Sequence, residues 1–241
     1  MNHRLGLALA GAAILVLLAG GVAYAYFFSG LHTAPKQLAL SSPTPAPLAS
    51  ATVATSSGLT GRWTVGPGSQ AGYRADENFV GQGAHQAVAR TSEVSGGLTV
   101  GADAGGSYVV TGVSISVGLG GLKSQDQVAG RDVSQRDGVV QQSLGVRQFP
   151  NATFTADSVS VPDSVAQQAA NVSIPGAVTI HGVSKPVTVT AQAQATASML
   201  EVAGSLPLTM TDYGVSPPQM AFVSVSPQLT VEFDIFLTRG S

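Results

Sequence analysis

The chain has 241 residues, 44% of them hydrophobic but only 10% charged, against a usual charged share of about 25%. Eleven Lys and Arg face thirteen Asp and Glu. With Arg4 and Lys36 near the amino terminus, the rest carries a mild negative balance and no basic stripe, which excludes nucleic-acid binding by electrostatics. Cysteine is absent, so the fold uses no disulfide, no thiolate nucleophile and no lipidated cysteine.

Residues 5–28, LGLALAGAAILVLLAGGVAYAYFF, contain no charge and follow His3 and Arg4. About 20 such residues suffice for a helix across the bilayer core, and Tyr24, Tyr26, Phe27 and Phe28 suit an interface. Residues 1–30 are therefore expected to form one transmembrane anchor. A cleaved signal peptide is the alternative, given Ala23-Tyr24-Ala25, but its apolar region is typically about 7–15 residues and this one is longer. Either way the remainder is exported to the extracytoplasmic side. Residues 31–60 are rich in Pro, Ser, Thr and Ala and read as a disordered linker, since they offer too little apolar surface to offset the entropy of ordering.

Residues 61–241 read as a single β domain. Gly61 to Val65 holds the only tryptophan, Trp63, expected as a core anchor, and after Gly66-Pro67-Gly68 a strand resumes at Ser69. One strand is expected across residues 87–100, with Gly96-Gly97 marking a bulge. Residues 107–119 give the clearest alternation, with Val109, Thr111, Val113, Ile115 and Val117 on one face. Residues 123–154 break the pattern: Lys123, Asp126, Arg131, Asp132, Arg136, Asp137 and Arg147 crowd a long, partly helical connection. Further strands are expected at 152–161, 171–180, 184–195, 199–210 and 228–238, with a hairpin around His181-Gly182. These eight or nine strands, without alternating helical segments, predict an all-β antiparallel barrel or sandwich.

Catalytic and metal chemistry find little support. His85 and His181 are far apart and lack acidic neighbours at ligand spacing, and no G-x-S-x-G occurs. Asp76-Glu77 and Asp132/Asp137 lie beside arginines and read as solvated ion pairs. No enzyme, cofactor or metal site is expected.

Five segments in order carry a family resemblance. They are Gly68-Ser69-Gln70-Ala71-Gly72-Tyr73-Arg74 with Glu77; Gly130-Arg131-Asp132; Phe149-Pro150-Asn151-Ala152-Thr153-Phe154; Gly176 to Val187; and Asp212-Tyr213-Gly214-Val215 with Pro217-Pro218. Together they resemble the YceI-like polyisoprenoid-binding proteins, in the membrane-anchored form seen in actinobacteria. The resemblance implies an eight-stranded antiparallel lipocalin-like barrel with a helical or loop insertion, holding an isoprenoid chain inside. Val133-Ser134-Gln135-Arg136 departs from the His-Leu-Arg run common after the Arg-Asp pair in that family.

The expected function is that of a membrane-tethered, extracytoplasmic carrier for a polyisoprenoid lipid, of quinone or polyprenyl phosphate type. Lining candidates are Val113, Ile115, Val117, Phe154, Val178, Ile180, Phe233 and Ile235; the alternative is that they fill a solid core. Arg74 and Arg131 are candidate head-group partners or structural ion pairs. The competing function is an envelope protein or glycan interaction module with a filled core. The expected partners are the lipid and the membrane, and a homodimer is compatible with the sequence.

Overall fold

The computed structural model describes residues 33–41 and 58–239, apart from residues 82, 104, 106, 129 and 197. The expected transmembrane helix lies outside the described residues, within which no helix is long and apolar enough to cross a membrane. The elements are β1 (Gly61–Val65), β2 (Gln70–Phe79), β3 (Gly83–Thr91), β4 (Val94–Ala102), β5 (Tyr108–Gly118), β6 (Lys123–Ser124), α1 (Gln135–Ser143), β7 (Asn151–Val161), β8 (Ala170–Ile180), β9 (Val183–Ala195), β10 (Met199–Thr209), β11 (Gln219–Met220) and β12 (Val223–Arg239).

Every strand pairing is antiparallel, and the order β1-β4-β5-β7-β8-β9-β10-β12 returns to β1, closing an eight-stranded barrel. The 17-residue β12 makes the closure: its carboxyl end pairs with β1, and its first two thirds pair with β2. β2, β3 and β6 extend the wall at the end where α1 sits. There Val140 of α1 and Leu144 just after it face inward, packed with Val146 against Leu119, Leu122 and Ala89. The helix sequence QRDGVVQQS has no apolar stripe, so tertiary packing rather than periodicity holds it in place.

Two departures from the expected strands have backbone causes. The single strand expected over residues 87–100 is two, β3 and β4, broken at Ser92-Glu93, and the bulge expected at Gly96-Gly97 is present as a register shift against β5 between Gly97 and Thr99. In β5 the buried face is Tyr108 and Val110, then Val113, rather than Val109 and Thr111. Gly112, with φ +60°, sits where β5 gains a residue relative to β4, and an inserted residue reverses which side chains point inward. The β8–β9 turn uses His181 (φ 52°) and Gly182 (φ 77°), two left-handed residues in succession as the tight hairpin turn requires. Trp63 is wholly buried, its indole N–H donating to the Leu59 carbonyl at 2.9 Å.

Residues 33–41, part of the expected linker, lie against the barrel. This segment crosses the outer face of the barrel, over β3, β2, β12, β10 and β9 in spatial order. Thr33 exchanges backbone hydrogen bonds with Gln127 at 3.1 and 2.8 Å. Arg90 donates to the Lys36 carbonyl and Arg74 to the Pro35 carbonyl, the latter at 2.7 Å. The Leu38 N–H donates to Glu232 at 3.2 Å, and the Ser41 N–H to Glu201 at 2.6 Å. Glu232 is fully buried and also accepts from Arg74 Nε at 2.7 Å and Arg90 Nε at 2.8 Å. The segment's backbone groups, rather than apolar side chains, make these contacts, by satisfying a buried charge cluster. Residues 42–57 of the expected linker lie outside the described residues.

Beneath the strap, burial raises the Asp234 carboxyl to about 7, and the neighbouring Glu201 carboxylate adds to the shift. Between the ordinary carboxylate range and pH 7 the folded protein thus holds a proton that the unfolded chain has released. This contribution to stability is complete at low pH, falls as pH rises through that window and levels off above about 7. Asp234→Asn keeps the neutral shape. It is expected to raise the melting temperature at pH 8 by about 2–4 °C over the parent, with the difference closing towards pH 4. Scanning calorimetry from pH 4 to 8 measures this, and a pH-independent difference would assign Asp234 no such titration.

Candidate functional site

The barrel is hollow. At the α1 end a chamber of about 210 Å³ is walled by β2, β10, β12 and α1 side chains, and at the β1 end a second of about 190 Å³ runs down to Trp63, Leu59 and Tyr108. Each is more than ten times the minimum that admits one water. The two meet where Ala71, Ile115, Val117, Phe154, Val178, Leu206 and Val231 belong to both walls. On β12 the lining extends from Val225 to Leu237, twelve steps that cover about 40 Å of strand.

All eight expected lining residues are on this wall. Ile115, Val117, Phe154 and Val178 stand at the junction, Ile180 in the α1-end chamber, and Val113, Phe233 and Ile235 in the β1-end chamber. The two arginines are elsewhere. Arg74 alternates with Tyr73 and Ala75, which line the chamber, so it faces the outer surface and holds Glu232 and the strap. Arg131 is outside the cavity, its guanidinium 4.6 Å from the Phe79 ring centroid and 5.3 Å from that of Phe222.

The cation that does line the chamber is Arg136, near the start of α1. Its Nη1 donates to Glu77 at 2.9 Å, and its Nη2 donates to Asp126 and, at 3.2 Å, to Ser124 Oγ. Its Nε–H is buried without an acceptor. Burial raises the Glu77 carboxyl above its usual range although Arg136 opposes the shift. Burial pushes Asp126 the same way, but hydrogen bonds from His85 (2.6 Å) and the Val88 N–H (3.0 Å), with Arg136, outweigh it and hold that carboxyl below its usual range. Burial also drives the Tyr73 hydroxyl upward, so this chamber-lining phenol stays protonated.

The site is therefore an apolar tunnel with one polar end, built from Tyr73, Glu77 and Arg136. Sequence reading named none of the three as a ligand contact. Glu77 shares the inward parity of Ala71, Tyr73 and Ala75, a signal the neighbouring Asp76 obscured. Arg136 lay within the charged connection, but nothing local says which of Lys123, Arg131, Arg136 and Arg147 turns inward. Asp132 is an exposed local acceptor for Ser134, and Asp137 binds the Ser124 N–H at 2.9 Å; neither lines the chamber. Among the described residues no group of His, Asp or Glu is placed to hold a metal ion.

A closed eight-stranded barrel with an apolar tunnel belongs to the class of β-barrels whose interior is wide enough to hold a small ligand. The chain belongs to the YceI-like family, whose domain model matches residues 63–237. Among solved structures it is similar to a polyisoprenoid binding domain from Saccharophagus degradans implicated in plant cell wall breakdown, at 17% identity and TM-score 0.53, covering 75% of this chain and 99% of that one. It is also similar to Burkholderia cenocepacia BcnA, at 14% identity and TM-score 0.46 over 69% and 95% of the two chains. For the Campylobacter jejuni YCEI protein the figures are 14%, 0.43, 63% and 84%. The Saccharophagus likeness supports the fold. No match was found among curated proteins.

Proposed function

We propose that the protein is a membrane-tethered, extracytoplasmic binding protein for one polyisoprenoid lipid, which it holds without chemical change. The observation that carries this is the apolar tunnel, with Arg136 and Glu77 confined to one end. A prenyl chain fills both chambers, and its burial drives binding at about 25 cal/mol per Å² of apolar surface. The head group sits at the polar end. Arg136 is already committed to Glu77 and Asp126, so a phosphate would meet carboxylates that no free cation offsets. A neutral carbonyl acceptor suits the Arg136 Nε–H, which has no acceptor of its own. The ligand is thus of quinone rather than polyprenyl phosphate type. The charge-free run at residues 5–28 supports the tether, and tethered proteins of this class would carry the lipid outside the cytoplasm.

Native mass spectrometry of protein purified from its own host, followed by solvent extraction, tests the reading. One stoichiometric isoprenoid adduct is expected, with an added prenyl quinone displacing it at least about tenfold more effectively than a prenyl phosphate of equal length, a difference of about 1.4 kcal/mol. Bare protein that refuses both lipids would overturn it.

A further inference from the structure

We propose that the α1 end of the barrel docks on the surface of the bilayer that holds the tether, so that the tunnel opens directly onto lipid. The inference deepens the function proposed above and rests on its tether.

Three observations converge on this end. The first is an apolar tip. Val80 is 72% exposed, Phe222 48% and Met220 42%, and the β2–β3 and β11–β12 hairpin ends that bear them are joined by a hydrogen bond from the Val80 N–H to the Phe222 carbonyl at 3.0 Å. The remaining large exposed hydrophobic residue among those described, Met199, is at the opposite end of the barrel. Three such side chains on adjoining hairpin ends form a patch, which scattered surface residues do not.

The second is the tunnel itself. Met220 and nearby Pro218 also line the α1-end chamber, so the chamber reaches the surface beside the patch. Ligand leaving there would pass from one apolar surface to another without crossing water, whose cost for apolar surface is what holds the ligand in the tunnel.

The third is where the chain arrives. Thr33 is fixed by its two hydrogen bonds to Gln127, and the adjacent Val128 packs on Phe79 and Val223 directly beneath the tip. The charge-free run ends at Phe28, five positions before Thr33, and five extended residues reach at most about 18 Å. Because residues 33–41 are fastened across the barrel, the distance between run and barrel is set by residues 29–32 and not by the long Pro/Ser-rich stretch that follows. Arg131, its guanidinium stacked on Phe79 and Phe222, then puts a cation beside the patch at headgroup level, where anionic lipid would meet it.

The protein has no cysteine, so single cysteines can be placed by Val80→Cys, Met220→Cys and Phe222→Cys, with Met199→Cys as the control, and labelled with an environment-sensitive fluorophore. The full chain is reconstituted in phosphatidylcholine and phosphatidylglycerol vesicles with and without doxyl-labelled lipid. Co-flotation reads the tether, and quenching reads the docking. The expected result is co-flotation of every variant, with fluorescence lost to doxyl lipid at positions 80, 220 and 222 and retained at 199. Co-flotation without quenching at the tip, or with equal quenching at 199, overturns the docking and leaves the tether standing. Failure to co-float overturns both. Self-quenching at the tip that is independent of doxyl lipid puts a second copy of the chain on the patch and overturns the membrane as its occupant.

Discussion

Ala71→Phe is expected to divide the tunnel and abolish the binding of long polyisoprenoids while short ones still bind. Ala71 is a small residue whose side chain belongs to both chamber walls, together with Phe154, Val178 and Leu206. A phenyl ring at that point fills the junction. Each prenyl unit then excluded forfeits the burial of five carbons, at about 0.8 kcal/mol per methylene group. The affinity for a chain long enough to enter both chambers should therefore fall at least about 100-fold, which corresponds to about 2.7 kcal/mol, whereas a chain confined to the α1-end chamber should keep its affinity within a few-fold. Because the added ring enters empty space rather than a filled core, the melting temperature is expected to hold or rise. Titration of parent and variant with prenyl quinones of increasing length, read by native mass spectrometry, makes the comparison. Unchanged long-chain affinity would show that the ligand uses only one chamber.

Arg136→Met is expected to be the most destabilising single change at the polar end. It leaves the buried carboxylates of Asp126 and Glu77 without their common cation, a loss on the order of 3 kcal/mol. For a domain of this size the melting temperature should drop by about 6–12 °C. The penalty comes from uncompensated charge rather than lost volume, so two further results are expected. Adding Glu77→Gln to Arg136→Met recovers part of the loss, and lowering the pH to 4 narrows the gap between parent and Arg136→Met as the stranded carboxylates take up protons. Thermal melts of parent, single and double variants at pH 7 and pH 4 check both. Equal losses at the two pH values would make Arg136 a packing residue only. The retained Arg136→Lys keeps a charge but not the fork that reaches Glu77 and Asp126 together, and it should fall between the two.

The strap alters how the two ends of the chain work together. Glu232, Arg74 and Arg90 form a compact charge cluster on the outer wall, and residues 33–41 complete it with backbone N–H and carbonyl groups. Residues 33–41 therefore belong mechanically to the barrel. The arginine at position 74, which looks from its motif like a ligand contact, is instead part of this fastening, and the inward-facing cation is supplied by the helix.

The outlines of the barrel were legible because a strand exposes its parity in the sequence. Small polar residues alternating with Val, Ile and Leu must put one set inside, and this alone places Val113, Ile115, Val117, Phe154, Val178, Ile180, Phe233 and Ile235 on one wall. The same rule failed locally at Val109 and Thr111, because Gly112 inserts a residue and reverses the parity, and no composition signal separates a bulge glycine from any other. It also missed the break between β3 and β4, where neither Ser92 nor Glu93 is a strong turn former.

What the sequence determined by itself is thus the all-β class and the wall residues, since hydrophobic alternation is a local property of the chain. Only the tertiary structure decided that the barrel is hollow, that Arg136 rather than Arg74 or Arg131 enters it, and that residues 33–41 are strapped to its outside. Each of these depends on how far apart two walls stand, or on which distant groups a buried charge can reach. Such distances are set by closure of the whole sheet, with β12 pairing at once with β1, β2 and β10, and no window of sequence contains them.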